Sequence, residues 1–242
     1  NNELIKIGPS ESMSKSKKNT IDPEKIIEGF GADSVRLFIL SDSPPEKDVQ
    51  WSDEGMNSSY KFIQKLWVLN QKIMDEIKEN HPSSSDNSVE KITNKFIKDV
   101  TNNIDNFAYN KIIANFHEMY SSFNKIISNK IGKDKLIENY KKILITMSPV
   151  IPHFSNECLE LIGVKEQINW PKINEEFLIE DKKNFVVQIN GKTRGIIVAD
   201  KNISQEILLT KINEDSKLKN YIEGKTIKKK IFIAEKLINI IV

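Results

Sequence analysis

The chain has 242 residues, which is long for one domain and typical of two. Its 36 Lys and Arg against 34 Asp and Glu leave a net charge of +2, so a polyanionic partner would need a locally basic surface. The single cysteine excludes an internal disulfide framework, and no apolar run approaches the ~18–20 residues that span a bilayer.

The first predicted element is a loop rich in serine and lysine. It reads Ser12-Met13-Ser14-Lys15-Ser16-Lys17-Lys18-Asn19. Hydroxyl and backbone N–H groups donate to phosphate oxygens, and ammonium groups offset phosphate charge. Asp22 and Pro23 then predict an N-cap and a helix whose positive end would add to the attraction. The pattern indicates a nucleotide triphosphate site; a solvated basic loop is the alternative on composition alone.

A helix bundle is predicted next, because apolar residues recur at three- and four-residue spacing over residues 54–165. A short helix over residues 32–41 precedes it. Phe62 and Trp67 are expected in the core of the first long helix, with Asp53 as its cap.

The cysteine and the histidine near the end of this region are predicted to have structural and not chemical roles. Cys158 lies in an apolar helical pattern and is expected to be a buried, inert thiol. His153 is expected to be packed, and the three histidines lack metal-ligand spacing, so no metal site is expected in this chain.

From about residue 185 apolar residues recur at every second position, which indicates strands. Asn190-Gly191 is a strong hairpin signal, a helix is expected from Ser204, and two apolar runs follow. These features predict a small α+β domain over residues 185–242, joined to the bundle by a linker over residues 166–184.

This C-terminal region is the most basic part of the chain, with eleven Lys and Arg against six acids from residue 185 onward. Such an excess allows salt-sensitive contacts to an RNA backbone, although ordinary surface lysines remain an equal alternative on charge alone. The candidate RNA-binding residues are Lys192, Arg194, Lys228, Lys229 and Lys230.

The order of residues in the loop resembles the K-M-S-K-S motif of class I aminoacyl-tRNA synthetases, with Ser12 where the family has its first lysine. The resemblance implies that Met13, Ser14, Lys15 and Ser16 bind ATP, which is used with Mg²⁺. It also implies that Lys15 is the catalytic group that stabilises the leaving pyrophosphate. Residues 1–53 would then be the end of the Rossmann catalytic domain.

Further matches run from about Gly8 to Val242 and resemble the leucine-specific members of that class. They comprise S-P-P-E-x-D-x-x-W-S-D from Ser43, P-x-x-P-H from Pro149, and V-Q-I-N-G-K-x-R from Val187. The implied architecture is mainly α: an anticodon-binding type of helical bundle followed by the small α+β domain.

The resemblance implies a C-terminal fragment of an ATP-dependent ligase that activates leucine and charges tRNA(Leu). Its partners would be tRNA(Leu), ATP and leucine, in a monomeric, cytoplasmic protein without a membrane contact. The fragment alone is expected to be inactive, since no leucine pocket is identifiable. The alternatives are a methionyl, valyl or isoleucyl enzyme, or a noncatalytic tRNA-binding protein derived from one.

Overall fold

The structure is a computed structural model, and it describes residues 11–41, 43–82, 85–165, 169–178 and 182–242. The chain divides into two compact units, Asn1–Glu175 and Glu176–Val242. The predicted start of the family resemblance at Gly8, and parts of the predicted linker, lie outside the described residues.

Two short helices open the first unit. Helix α1 (Pro23–Phe30) begins at Asp22, whose side chain accepts a hydrogen bond from the Glu24 N–H. Gly31, at φ 79°, turns the chain directly into α2 (Ala32–Ser41). A positive φ is readily adopted by glycine alone, which allows the two helices to follow each other without a longer loop.

Five further helices form a bundle. They are α3 (Asp53–Glu79), α4 (Ser88–Asp105), α5 (Tyr109–Ile126), α6 (Lys133–Met147) and α7 (Pro152–Leu161). Each helix buries one apolar stripe against the others, and the largest fully buried side chains of the bundle include Phe116, Phe123 and Ile143. The predicted helix bundle is therefore confirmed.

Three local predictions in the bundle were wrong. The cap of α3 is Ser52, whose side chain accepts from the Gly55 N–H, while Asp53 accepts from the Trp51 indole. Trp67 lies at the edge of the core with 37% exposure, although Phe62 is buried as expected. His153 is not packed, since its side chain is 75% exposed.

The segment after α7 is anchored to the bundle. The Trp170 indole N–H donates to Thr101 Oγ1 at 3.0 Å, and the Asn174 N–H donates to Asn94 Oδ1 at 2.7 Å. Both acceptors lie on α4. Residues 170–174 of the predicted linker therefore pack on a helix and do not form a free tether.

The second unit is a four-stranded sheet with helices against one face. Its strands are β1 (Lys182–Ile189), β2 (Lys192–Asp200), β3 (Lys229–Ile233) and β4 (Leu237–Ile241), in the order β2-β1-β4-β3. Pairing is antiparallel except between β1 and β4, which run parallel. Helices α8 (Gln205–Glu214) and α9 (Ser216–Lys219) cover a core centred on Phe185, Leu208 and Ile238. The predicted mainly α fold with a small α+β domain is confirmed.

Candidate functional site

The serine- and lysine-rich loop forms a closed turn. Asn19 joins its two ends, because its Oδ1 accepts from the Ser14 N–H at 2.9 Å and its Nδ2 donates to the Ser12 carbonyl at 3.4 Å. The Ser14 and Ser16 hydroxyls lie 3.1 Å apart, and the Lys17 N–H donates to the Ser14 carbonyl. The turn thus brings the Ser14 and Ser16 hydroxyls and the Lys17 backbone together in a short, largely exposed segment.

The three lysines of this turn differ in their surroundings. Lys17 pairs with Glu11 at 3.0 Å. Lys15 is exposed and has no ion-pair partner among the residues that the structure describes. Lys18 takes a left-handed conformation, at φ 54°. Lys15 and Lys18 are both exposed, so either ammonium group is available to an incoming anion, whereas Lys17 would first have to leave Glu11.

The N-terminus of α1 has the predicted Asp22 cap and a second acidic residue in its first turn. The Asp22 carboxylate accepts from the Glu24 N–H at 3.1 Å, and Glu24 adds a second negative charge in the first turn. These two acids offset part of the positive charge at this end of the helix. An anion at this loop would therefore depend on Lys15, Lys18, the serine hydroxyls and the backbone.

The hairpin of the second unit carries Lys192 on a rigid turn. Asn190 (φ 49°) and Gly191 (φ 77°) both take positive φ, as a two-residue hairpin of this type requires. The turn is tied to β4 and its following residue by two side chains: the Gly191 N–H donates to Asn239 Oδ1, and the Val242 N–H donates to Asn190 Oδ1, each at 3.1 Å.

The strand order places two separate basic segments at one end of the sheet. Lys192 pairs with Ile189, Ile189 with Ile240, and Ile240 with Lys230. The two lysines thus lie in one row across four strands, roughly 14 Å apart from three strand spacings. Lys228 and Lys229 are exposed beside Lys230. The structure brings together candidates that are 38 positions apart in the chain.

Arg194 is the exception among these candidates, because an aromatic ring holds it. Its guanidinium carbon lies 4.6 Å from the centroid of the Tyr221 ring, in a cation–π contact. The Lys225 ammonium donates to the Tyr221 carbonyl at 3.2 Å. Tyr221 was not a candidate in the sequence; no periodic signal marks it, because it follows a four-residue helix.

The described residues contain neither a recognisable metal site nor a membrane-spanning helix. Among the described residues, no group of three or more His, Cys, Asp or Glu side chains could hold a metal ion. Within the same part of the chain, no helix is both long and apolar enough to cross a membrane.

Cys158 is buried, and burial raises the pKa of its thiol to about 12. Since the thiolate is the reactive form, alkylation of the folded protein at pH 8 should be roughly a thousandfold slower than in denaturant. Because the folded pKa exceeds the unfolded one, this group stabilises the fold below pH 9, and the contribution is lost between pH 9 and about 12. Timed alkylation followed by mass spectrometry checks the first result, and fast labelling without denaturant would contradict it.

Comparisons with known proteins identify both parts of the chain. Residues 86–209, slightly more than half of the chain, match the model of the anticodon-binding domain of tRNA ligases, and residues 2–52 match that of class I tRNA synthetases for I, L, M and V. The helix bundle and the loop that precedes it are thus those of a class I tRNA synthetase. The match over residues 2–52 confirms the predicted end of the catalytic domain.

Similar proteins narrow the assignment within class I to the leucine enzymes. The chain is 34% identical to the leucine–tRNA ligase of Petrotoga mobilis over 95% of its length, and 36% identical to that of Prochlorococcus marinus strain MIT 9515 over 96%. It belongs to the leucine–tRNA ligase family. The chain spans 30% and 28% of the length of these two relatives.

A solved structure shares the fold. It is a leucyl-tRNA synthetase (agnB2 LeuRS) of Agrobacterium radiobacter K84 in a ternary complex with tRNA and LeuAMS. The TM-score is 0.74 at 22% identity, over 95% of this chain and 31% of the other.

Proposed function

We propose that this chain is the C-terminal part of an enzyme that joins leucine to AMP from ATP and then passes the leucyl group to the terminal ribose of tRNA(Leu). The observation that carries the proposal is identity of 34–36% to leucine–tRNA ligases across almost the whole chain. No comparable observation favours the methionine, valine or isoleucine enzymes, or a noncatalytic tRNA-binding protein.

The loop over residues 12–19 contributes the ATP-phosphate contacts. The leucine carboxylate attacks the α-phosphorus, and negative charge builds on the departing pyrophosphate. The exposed ammonium of Lys15 stabilises that charge, while the hydroxyls of Ser14 and Ser16 and the nearby Met13 help to hold ATP. Mg²⁺ would be held by the phosphate oxygens of ATP and would offset part of their charge, and Lys15 would offset charge that remains.

The other two parts of the chain bind tRNA. Residues 86–209, which include much of the bundle over residues 54–165, match a domain named for anticodon binding, and the solved neighbour is itself a tRNA complex. The domain over residues 185–242 adds a basic sheet end, and residues 166–184 link the two. The whole enzyme works as a monomer in the cytoplasm.

A charging assay tests this function. The full-length ligase, incubated with ATP, Mg²⁺ and tRNA, should attach leucine far faster than isoleucine, valine or methionine. Preferential charging with any of the other three amino acids would assign the protein to a different ligase. Tight tRNA binding without charging of any amino acid would support the noncatalytic alternative.

A salt titration tests the basic sheet end. Replacing Lys192 and Lys230 with alanine should weaken tRNA binding and make the slope of log K against log salt shallower by roughly 0.7–0.9 for each phosphate that the variant no longer neutralises. Fluorescence anisotropy measures both quantities. The matched control replaces Lys201 and Lys219, which already pair with Glu235 and Glu223. Equal slopes for the two double variants would remove the sheet end from the tRNA interface.

A further inference from the structure

Asp33 caps a helix that lies 120 positions later in the chain. Helix α7 begins at Pro152, after Ile151, whose side chain has no acceptor for the free N–H groups of the first turn. Asp33, in the first turn of α2, supplies the acceptor. Its Oδ2 accepts from the Phe154 N–H at 2.7 Å, and its Oδ1 accepts from the His153 N–H at 3.3 Å.

The same carboxylate also holds the His153 ring. The ring nitrogen Nδ1 lies 3.0 Å from Asp33 Oδ1, whereas most of the His153 side chain is exposed. Asp33 itself is only 7% exposed. A buried carboxylate is stabilised when several donors converge on it, so these three contacts are a strong link between α2 and α7.

Arg36, one turn further along α2, binds the carbonyls just before α7. Its Nε donates to the Val150 carbonyl at 2.9 Å, and its Nη2 donates to the Pro149 carbonyl at 2.7 Å. Two neighbouring donors on one planar group fix orientation as well as distance. Asp33 and Arg36 together make five polar contacts with residues 149–154, which we call the α2 clamp.

The clamp matters for the ATP loop because α1 has little anchorage of its own beyond Phe30, whose ring lies against the Tyr60 ring of α3 with centroids 5.7 Å apart. None of the eight residues of α1, all of which the structure describes, is buried. By contrast, α2 buries Leu37 and Phe38 as well as Asp33. Only the Gly31 turn separates the two helices. The position of the loop over residues 12–19 relative to the bundle therefore depends on the position of α2.

We propose that Asp33 and Arg36 are positioning residues for leucine activation, which fix α2 on the bundle and thereby set where the Lys15 loop can reach. This inference rests on the proposed function. Neither residue contacts the loop, and both act through α1 and α2. Because a displacement of about 1 Å far from the chemistry can cost on the order of 100-fold in rate, a loosened clamp should lower the rate of activation in molecules that remain folded.

The experiment compares Asp33→Asn, Arg36→Gln and Arg36→Lys in the full-length ligase. Adenylate burst titration counts active sites, and leucine-dependent pyrophosphate exchange is then expressed per site. We expect kcat per site to fall roughly tenfold or more for Asp33→Asn and Arg36→Gln, with KM for leucine and Kd for tRNA changed less than about threefold. Arg36→Lys should be intermediate. If Asp33→Asn does not fold, the comparison of Arg36→Gln with Arg36→Lys tests the inference.

The control variant is Lys135→Met. Lys135 lies near the start of α6, away from Pro149, and makes a similar polar link to Glu90 of α4 and to the carbonyl of Asp86 just before α4, each at 2.8 Å. It should lower the melting temperature while leaving kcat per site unchanged. Unchanged kcat per site in both clamp variants, or an equal loss in the control, would overturn the inference. A wild-type enzyme without leucine-dependent exchange would instead overturn the proposed function on which it rests.

Discussion

Replacing Lys15 with alanine should reduce leucine-dependent pyrophosphate exchange by the full-length ligase by roughly 100- to 1,000-fold in kcat. That is the size of effect seen when one charge-stabilising donor is removed from an active site. Lys15 is exposed and has no ion pair within the described part of the chain, so its loss should leave folding and tRNA binding intact. Steady-state exchange kinetics measure the loss of kcat, and a melting curve measures whether folding is unchanged.

Lys17→Ala is the matched control, since it removes the same charge from the same turn. Its ammonium is already paired with Glu11 at 3.0 Å, so a loss of less than about tenfold is expected. An equal loss in both variants would mean that the net charge of the loop matters, and not the position of Lys15. Full activity of Lys15→Ala would remove Lys15 from the chemistry.

Replacing Phe185 with alanine should unfold the second unit while the bundle stays folded. Phe185 is completely buried and lies against the Phe232 ring, with centroids 6.2 Å apart. Truncating a buried phenylalanine costs about 3–5 kcal/mol. A unit over residues 176–242 has only about 3–10 kcal/mol of total stability at the usual value per residue, so the substitution would remove between about a third and all of it.

Hydrogen–deuterium exchange of the whole chain distinguishes the two units. Peptides from residues 185–242 should exchange freely in the variant, while peptides from α6 should keep their protection. Ile196→Ala is the control, because Ile196 is 59% exposed on the opposite face of the same sheet and should cost less than about 1 kcal/mol. Retained protection in residues 185–242 of Phe185→Ala would show that this core tolerates the cavity.

The bundle and the hairpin were predictable because each is encoded locally. Three- and four-residue spacing predicts a helix wherever its stripe must be buried, and Asn190-Gly191 has few other conformations open to it. Local signals were less reliable at boundaries. Ser52 and Asp53 are both good N-caps, and only the backbone conformation selects Ser52. Trp67 has the spacing of a core residue, but it lies where the stripe meets solvent.

Relationships across the chain were not predictable from the sequence. The pairing of Asp33 with the start of α7, and the row from Lys192 to Lys230, depend on which elements become neighbours. The residues of the ATP loop were recognisable from their order, and the Asp22 cap of α1 was predictable from its position before Pro23. The assignments of Lys15 and of the basic sheet end remain predictions.

The insertion of β4 between β1 and β3 has a consequence for synthesis on the ribosome. Helices of the bundle contact partners that precede residue 165 and can begin to assemble while translation continues. The sheet cannot close until Leu237–Ile241 has left the exit tunnel, because these residues form an interior strand. A premature stop codon just before Leu237 would therefore remove the interior strand β4 and prevent the whole sheet from forming, and would expose apolar surface to aggregation and degradation.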